Sequence, residues 1–562
     1  MRLAIAQLNP TVGDLEGNQA LMTEAYRKAS EQGADLLLFP ELVTCGYPPQ
    51  DLVTRPDFVS AVCQLNRHLT ESLVDGPAVV FGTLEQAAEG SARSVHNSAL
   101  LVDGGRILGR HDKILLPTYD VFDESRTFEP GTRTDLFEVR GQSLGVAICE
   151  DLWTVPVLGQ PPYSRNPGKE LADRGAELIL CPSASPFHTG RPPIREQVFM
   201  EQSRQWGIPL ALANLVGGNT ELIFDGGSFL VQPSGGIQRL PAFSPALSLF
   251  EKLSSTEEGA EIREPEEHVA DALILGIRDF LQKCGLRKVV LGLSGGIDSA
   301  VVAALATAAL GPENVTGVAM PGPYSSEGAL EDAKDLAQRL GISFEVVSIG
   351  DSYQQIHGDL EPILGPGEWG IAQENLQSRL RGTLLMTLAN KTGAMVLATG
   401  NKSELSVGYC TLYGDMCGGL SPLGDVSKQM VYQLARLPRF RDQIPLSTIE
   451  KPPSAELAPD QVDTDSLPPY DQLDAILSAW VEQRLSFGEI VALGIPEAAV
   501  RQVIRLIEIS EHKRRQSAPI LRVTPRAYGV GRRVPVARSL DGWQFRSETV
   551  PGDNPDQKSP RG

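Results

Sequence analysis

The chain contains no uninterrupted apolar stretch long enough to span a bilayer, and Met1–Pro10 is too short an apolar run to read as a signal peptide. The expectation is a soluble, cytoplasmic protein with no membrane partner. Basic charge is in deficit, 50 Lys+Arg against 70 Asp+Glu for a formal net of −20. That balance argues against a nucleic-acid-binding surface over the whole molecule, favours solubility, and says nothing of fold. The seven cysteines (Cys45, Cys63, Cys149, Cys181, Cys284, Cys410 and Cys417) are odd in number, scattered and without CxxC spacing. Neither a disulfide framework nor a zinc site is implied, and most of them are expected to pack as small hydrophobes.

What is present is alternation. At 562 residues the chain can hold two large α/β domains or about four average ones. Up to Leu249, short apolar runs at 3–6, 36–39, 78–81, 99–102, 144–148, 178–180 and 210–213 alternate with polar helical segments such as 18–32, an α/β layered pattern. The acidic stretch 251–267 carries no apolar period and reads as an exposed linker. After it, a helix over 268–284, strands over 289–293, 315–320, 344–349 and 394–399, and a helix over 326–340 with Ser326 as N-cap predict a doubly wound parallel sheet. Its ligand belongs at the C-terminal strand edge. The expected division is therefore 1–249, a linker over 250–267, 268–546, and a polar, proline-rich disordered tail over 547–562.

The segment Arg287–Leu305, RKVVLGLSGGIDSAVVAAL, places a Ser-Gly-Gly-Ile-Asp-Ser turn between a buried strand and a small-residue helix. Gly295 and Gly296 permit close approach of an anion, and the first N–H groups of the helix and its dipole face the turn. The turn lacks the Lys-Ser/Thr pair of a Walker A loop, so it is not built to grip a terminal phosphate for transfer. It resembles the PP-loop of ATP pyrophosphatases, which cleave ATP to AMP and pyrophosphate.

In the first half, three apolar segments carry a polar residue of catalytic type: Glu41 after LLLFP, Lys113 before ILLP, and Cys149 after LGVAI. A cysteine at a strand end can be held as a nucleophile, a carboxylate can take its proton, and an ammonium can stabilise thiolate and oxyanion. Singly, each also reads as a core thiol, a helix-start charge or a surface lysine. As an ordered set, FPEL, HDKILLP and CEDLW resemble the Glu-Lys-Cys signature of the nitrilase, or carbon-nitrogen hydrolase, superfamily over about residues 1–245. The resemblance implies a four-layer αββα sandwich and a thioester intermediate. It is sharpest toward glutaminase domains that feed ammonia to a synthetase. There, by matching positions, Tyr119, Ser185 and Arg191 bind glutamine, and Glu124 is a second acid that positions the base. His188 is expected to be an exposed loop residue.

In the second half, GLSGGIDS at 292–299, the 320–342 segment, ENLQSRLR at 374–381, ATGNKSELSVGY at 398–409 and EHKRRQ at 511–516 resemble NAD synthetase motifs. The whole chain is thus similar to the glutamine-dependent NAD⁺ synthetases. The resemblance implies activation of the nicotinate carboxylate of deamido-NAD⁺ as an acyl-adenylate, with loss of pyrophosphate, and displacement of AMP by ammonia carried in a closed channel. ATP would be bound by Gly292, Leu293, Ser294, Gly295, Gly296, Ile297, Asp298, Ser299 and Thr399. Deamido-NAD⁺ would be bound by Asn375, Glu404, Lys428, His512 and Lys513, with Asp415 nearby. Mg²⁺ would be held by Asp298 and Glu404, two oxygen ligands suited to a hard cation. The implied partners are deamido-NAD⁺, ATP, L-glutamine and further copies of the chain, as a dimer of synthetase domains or an octamer. The chain departs from bacterial relatives at Pro323-Tyr324, where Arg is frequent, and at Arg191, where Lys is.

Residue types leave three alternatives open. Lys428 and the 511–516 run also read as solvated surface charge. Another glutamine-fed, AMP-forming PP-loop ligase would keep Cys149 and the 294–299 turn but would not need ENLQSRLR and EHKRRQ. A nucleotide-binding sensor with a hydrolase remnant would not need to retain Glu41, Lys113, Cys149, Asp298 and Glu404 together.

Overall fold

The computed structural model describes residues 1–154, 163–250, 264–367, 369–453, 456–458, 461, 467–539 and 545. The acidic segment 251–263 and the tail 547–562 lie outside them.

The first half is a sandwich of two six-stranded sheets. The strands, in chain order, are β1 (Leu3–Gln7), β2 (Leu36–Leu38), β3 (Ala78–Gln86), β4 (Val95–Asp103), β5 (Arg106–Asp112), β6 (Leu136–Val139) and β7 (Gln142–Val146). They continue with β8 (Leu178–Ser183), β9 (Leu210–Asn214), β10 (Val216–Asn219), β11 (Leu222–Asp225), β12 (Phe229–Val231), β13 (Ile237–Arg239) and β14 (Ala246–Phe250). One sheet runs β14-β1-β2-β3-β4-β5 and the other β13-β12-β9-β8-β7-β6, while β10 and β11 form a separate hairpin. Leu3 and Ile5 of β1 enter the core between the sheets, and Ala4 and Ala6 face the helix layer. A strand buried on both faces reads as a continuous apolar run instead of alternating. Helices α1 (Leu15–Glu31) and α2 (Pro56–Ser72) cover the first sheet, and α3 (Pro167–Asp173) and α4 (Arg191–Trp206) the second, completing the four layers. Asp14 caps α1 by accepting from Gly17 N at 3.0 Å, and Met22, Ala25, Tyr26 and Ala29 form its buried stripe.

The second half holds a parallel sheet of order β17-β16-β15-β18, made of β15 (Val289–Gly292), β16 (Val315–Ala319), β17 (Ser343–Val346) and β18 (Met395–Val396). Helices α5 (Pro265–Lys283), α6 (Ile297–Leu310) and α7 (Glu327–Leu340) share the larger core. Helix α8 (Gly350–Leu364) and α9 (Ile371–Thr392) follow, and α9 packs on the opposite face of the sheet through Leu385 and Ala389. Two shorter helices, α10 (Lys402–Val407) and α11 (Lys428–Ala435), precede a C-terminal cluster that includes Tyr470–Leu477 and Glu497–Ile509.

Several boundaries differ from the sequence expectation, among them the strand expected over 344–349, which is Ser343–Val346. Helix α5 starts at Pro265, since proline suits the first helical position, and Phe250 belongs to β14, so both ends of the expected 250–267 linker are regular structure. The expected strand at 394–399 is two residues long; beyond it Leu397, whose N–H still donates to Val290 O at 3.0 Å, bridges Leu420. Ser326 caps α7 as expected, accepting from Ala329 N at 3.2 Å.

The halves meet where α5 lies on the β10–β11 hairpin. Gly218 packs against Gly276, and Asp279 Oδ2 accepts from Gly218 N at 2.8 Å and Asn9 Nδ2 at 2.7 Å. Lys283 Nζ donates to Asn9 Oδ1, Pro10 O and Asn219 Oδ1, and burial holds it down to about 8. No helix among the described residues is long and apolar enough to cross a membrane.

Candidate active sites

Between the two sheets of the first half, Glu41, Lys113 and Cys149 converge, each almost fully buried. Lys113 Nζ pairs with Glu41 Oε1 at 2.7 Å and with Glu124 Oε1 at 2.8 Å. Asn97 Nδ2 donates to Glu41 Oε1 at 2.7 Å, and Tyr47 OH to Glu124 Oε1 at 2.7 Å. Two adjacent residues at the end of β8 tie base and thiol together: Ala184 N donates to Glu41 Oε2 at 2.8 Å and Ser183 Oγ to Cys149 Sγ at 3.3 Å. Cys149 has φ +44, a left-handed conformation that opens a short 3-10 turn three residues beyond β7. Such strain in a cysteine at a strand–turn junction is characteristic of a presented nucleophile. The loop of Glu41 lies so close to β3 that a Cβ on Gly82 would stand 2.5 Å from Glu41 Cα, so only glycine fits there.

Burial, then the charge of Glu41, pushes the Cys149 thiol up to about 12, with Lys113 pulling it down. Sulfur therefore carries its proton at neutral pH, and a nucleophilic role for it would require a base such as Glu41. Burial pushes Glu124 up to about 7 against the pull of Lys113. Lys113 is held well above the ordinary lysine range by Glu124 and Glu41, which outweigh its burial, so it stays charged. A solvated surface lysine is excluded.

Around this cluster stand the residues expected to hold glutamine. The Arg191 guanidinium, at the start of α4, stacks over the Trp153 ring at 3.7 Å. Ser185 is buried, and its Oγ has no hydrogen-bond partner among the described residues. Tyr119 OH donates to both oxygens of Glu150, at 3.0 and 3.1 Å. Trp153 and Glu150 are not singled out by the sequence, although Glu150 directly follows Cys149.

His188 corrects an expectation. It is buried, 4% exposed, because its loop is clamped on both sides: Phe187 N donates to Ile223 O at 2.7 Å and Thr189 N to Val523 O at 2.8 Å. Burial, then Arg522, drives its pKa from 6.5 down to about 3. The unfolded ring takes up a proton as pH falls through 6.5 and the folded ring does not, so stability falls with pH over this window. His188→Gln should flatten that acid limb by up to about 1.4 kcal/mol per pH unit in denaturant titrations. An unchanged limb would contradict a neutral buried ring.

The second site is a cavity of about 380 Å³ at the C-terminal ends of β15, β16 and β18. The turn at 294–299 forms one wall. Gly295 has φ +76, and a Cβ there would stand 2.4 Å from Ala329 O, so the turn requires glycine. Helix α6 begins at Ile297, placing Asp298 and Ser299 in its first turn. Ser299 Oγ donates to Gly296 O at 3.0 Å and accepts from Ser294 N at 3.3 Å, which holds the turn in shape.

On the cavity floor, Lys428 Nζ joins Asp298 Oδ2 at 2.6 Å and Glu404 Oε1 at 3.2 Å. Asn401, the N-cap of α10, donates to Asp298 Oδ1 at 2.8 Å. Lys428 is buried, which excludes the solvated helix charge. Thr399, Asn375, Asp415 and Lys513 also line the cavity; Asn375 Oδ1 accepts from Thr411 Oγ1, and Lys513 Nζ donates to Gly408 O and Cys410 O. His512 does not line it: the ring is exposed and bonded to Ile509 O. Arg381, inside ENLQSRLR but not singled out, lines the cavity and donates Nε to Met320 O at 3.0 Å. Cys45 and Cys181 are buried as expected of packed thiols, whereas Cys284 is exposed.

No cluster of three or more His, Cys, Asp or Glu among the described residues could hold a metal alone. The pair Asp298 and Glu404 is nevertheless an all-oxygen donor set, open to the cavity, with side chains 18% and 16% exposed. It fits a hard divalent cation that arrives with a phosphate chain.

Comparison with known proteins covers both halves. Residues 2–246 match the carbon-nitrogen hydrolase family and residues 269–517 the NAD synthase family. The chain is 46% identical to a glutamine-dependent NAD(+) synthetase of Synechocystis sp., covering 96% of this chain and 99% of that one. It is 40% identical to one from Acinetobacter baylyi, with 97% and 99% covered. A solved glutamine-dependent NAD+ synthetase from Acinetobacter baumannii, in complex with adenosine diphosphate, superposes with a TM-score of 0.75 at 38% identity, covering 95% and 98%.

Proposed function

The chain belongs to the glutamine-dependent NAD(+) synthetases, and from that membership we propose how its two sites divide the reaction. It is a ligase that converts deamido-NAD⁺, ATP, L-glutamine and water to NAD⁺, AMP, diphosphate and L-glutamate. Residues 1–249 act as the glutaminase and 268–546 as the synthetase. The observation that carries this reading is the pairing, in one chain, of the buried Glu41–Lys113–Cys149 centre with a Gly-rich nucleotide cavity floored by Asp298, Glu404 and Lys428.

In the first site, Glu41 takes the thiol proton as Cys149 Sγ attacks the side-chain amide carbon of glutamine. Lys113 stabilises the oxyanion, and Glu41 returns the proton to the leaving ammonia. Water then attacks the thioester, with Glu41 again as base, to release glutamate. Arg191, Ser185 and Tyr119 hold the amino-acid end.

In the second site, the amides of Ser294–Ser299 at the start of α6 bind the β- and γ-phosphates as a departing unit. The carboxylate of deamido-NAD⁺ attacks the α-phosphorus, and ammonia then displaces AMP from the acyl-adenylate. Asp298 and Glu404 would hold Mg²⁺, which when bound neutralises phosphate charge. Thr399 contacts ATP, and Asn375, Glu404, Lys428 and Lys513, which line the cavity, contact deamido-NAD⁺; His512, outside the lining, is not carried into this set. Free ammonia at neutral pH is mostly ammonium, so ammonia travels inside the protein from one half to the other. The exposed apolar side chains Ile363, Leu364 and Ile371 support assembly of several copies. The charge balance and the lack of a membrane-spanning helix among the described residues support a cytoplasmic location.

The test is a product assay with deamido-NAD⁺, ATP, Mg²⁺ and glutamine. AMP and NAD⁺ should appear in equal amounts; ADP in place of AMP would overturn the adenylate route.

A further inference from the structure

We propose that Asn401 is the positioning residue of the synthetase cation site: its single amide sets one carboxylate from each of two helices so that both can hold the same divalent cation. The inference rests on the reading of Asp298 and Glu404 as the ligands of that cation, and adds to it the group that brings them into register.

Asp298 stands in the first turn of α6 and Glu404 in the first turn of α10, so neither helix alone fixes where one carboxylate lies relative to the other. Asn401 does. It is fully buried; its Oδ1 accepts from Glu404 N at 3.0 Å while its Nδ2 donates to Asp298 Oδ1 at 2.8 Å. Its backbone N–H donates to Glu404 Oε2 at 3.3 Å. Asn401 thus takes one oxygen of each carboxylate, and the other oxygen of each, Asp298 Oδ2 and Glu404 Oε1, meets Lys428 Nζ at 2.6 and 3.2 Å. The two oxygens it leaves over already converge on a positive group, in a cavity that Ser294, Gly296 and Ile297 of the phosphate turn also line.

The turn that carries Asn401 is anchored on both sides. Lys402 N donates to Val426 O at 2.9 Å, and its buried ammonium pairs with Asp425 at 2.9 Å and Glu482 at 2.7 Å. Ser403 Oγ accepts from Lys428 N at 2.9 Å, so the same turn also places the lysine.

Helix capping accounts for only half of these bonds. Ser, Thr or Asp would cap α10 as well, since each offers an oxygen to Glu404 N. The asparagine amide presents in one plane both that acceptor and a donor long enough to reach Asp298, which those three side chains do not. Being neutral, it orients two anions without cancelling the charge of either. Outer partners of this kind fix the orientation of metal ligands and are typically worth about 10–100-fold in metal affinity.

The experiment titrates Mn²⁺, which suits the same oxygen ligands as Mg²⁺, into the full-length enzyme saturated with α,β-methylene-ATP. Bound metal is followed by electron paramagnetic resonance, with the metal taken by free nucleotide measured separately. Asn401→Ser keeps the cap and removes the donor. It should weaken Mn²⁺ binding by about 10–100-fold, while affinity for the metal-free nucleotide, measured in EDTA, stays within about threefold. In an Asp298→Asn background the same substitution should cost no more than about twofold further, because the carboxylate through which it acts is already gone. Unchanged Mn²⁺ affinity in Asn401→Ser, with Asp298→Asn impaired, would overturn the proposal and leave Asn401 as a helix cap. Equal loss of metal and of metal-free nucleotide would make it a support of the cavity wall and overturn the proposal too, as would a full further loss in the Asp298→Asn background. If Asp298→Asn alone left Mn²⁺ affinity intact, the cation reading itself would fail, and this inference with it.

Discussion

Cys149→Ala is expected to cut glutamine-supported NAD⁺ formation by about 10⁴-fold or more, while ammonia-supported formation stays within about twofold. The first figure follows from the loss of the proposed nucleophile: Cys181 and Cys45 cannot take its place, because they are fully buried and face away into packed cores. The second follows from the layout. Cys149 sits between the sheets of the first half, and the alanine removes a sulfur that accepts a hydrogen bond from Ser183. The Lys113–Glu41–Glu124 ion pairs and the α5 contact with the β10–β11 hairpin remain in place. Initial rates with glutamine and with ammonium chloride at alkaline pH check both arms. Parallel loss in a folded variant would mean that Cys149 also serves the synthetase.

The chemistry of each half was legible because it sits at strand ends, where an apolar run stops and a polar residue begins. Glu41, Cys149 and the 294–299 turn all announce themselves in that way. What holds them was not legible. Lys428 lies 130 residues from Asp298, and Ala184 lies 143 from Glu41. Such pairings are made by sheet order and not by local pattern, and Lys428 and Lys113 read equally well as surface charges until the fold buries them. Strand β5 escaped notice because its apolar pair, Ile107 and Leu108, points outward and is 51% and 48% exposed. His188 was misread for the converse reason. Its loop looks polar and short, but a distant segment at Val523 closes over it. Glu150 was hidden by its neighbour: CEDLW contains two acids, and only the fold shows that Asp151 caps backbone amides while Glu150 faces Tyr119 and Tyr163.

Asp298→Asn is expected to lower AMP and NAD⁺ formation by about 10²–10³-fold with either nitrogen source, the scale typical of removing one preorganised electrostatic group. The reason is local. Asp298 stands in the first turn of α6, beside the amides proposed to take the departing pyrophosphate, and it shares Lys428 with Glu404. The asparagine keeps the hydrogen bond to Asn401 available but removes one of two carboxylates from the proposed cation site. It also takes a carboxylate away from the buried Lys428 ammonium. Weaker cation binding is distinguishable from a general loss of shape, because raising Mg²⁺ should recover part of the rate in the variant and none in the wild type at saturation. Glu404→Gln should behave alike, since Glu404 contributes the second carboxylate to the same lysine. Glutamate release at Cys149 continues in both variants, as the first site shares no residue with this cavity. Rates close to wild type at limiting Mg²⁺ in both variants would remove the metal role from this pair and leave them as partners of Lys428 alone.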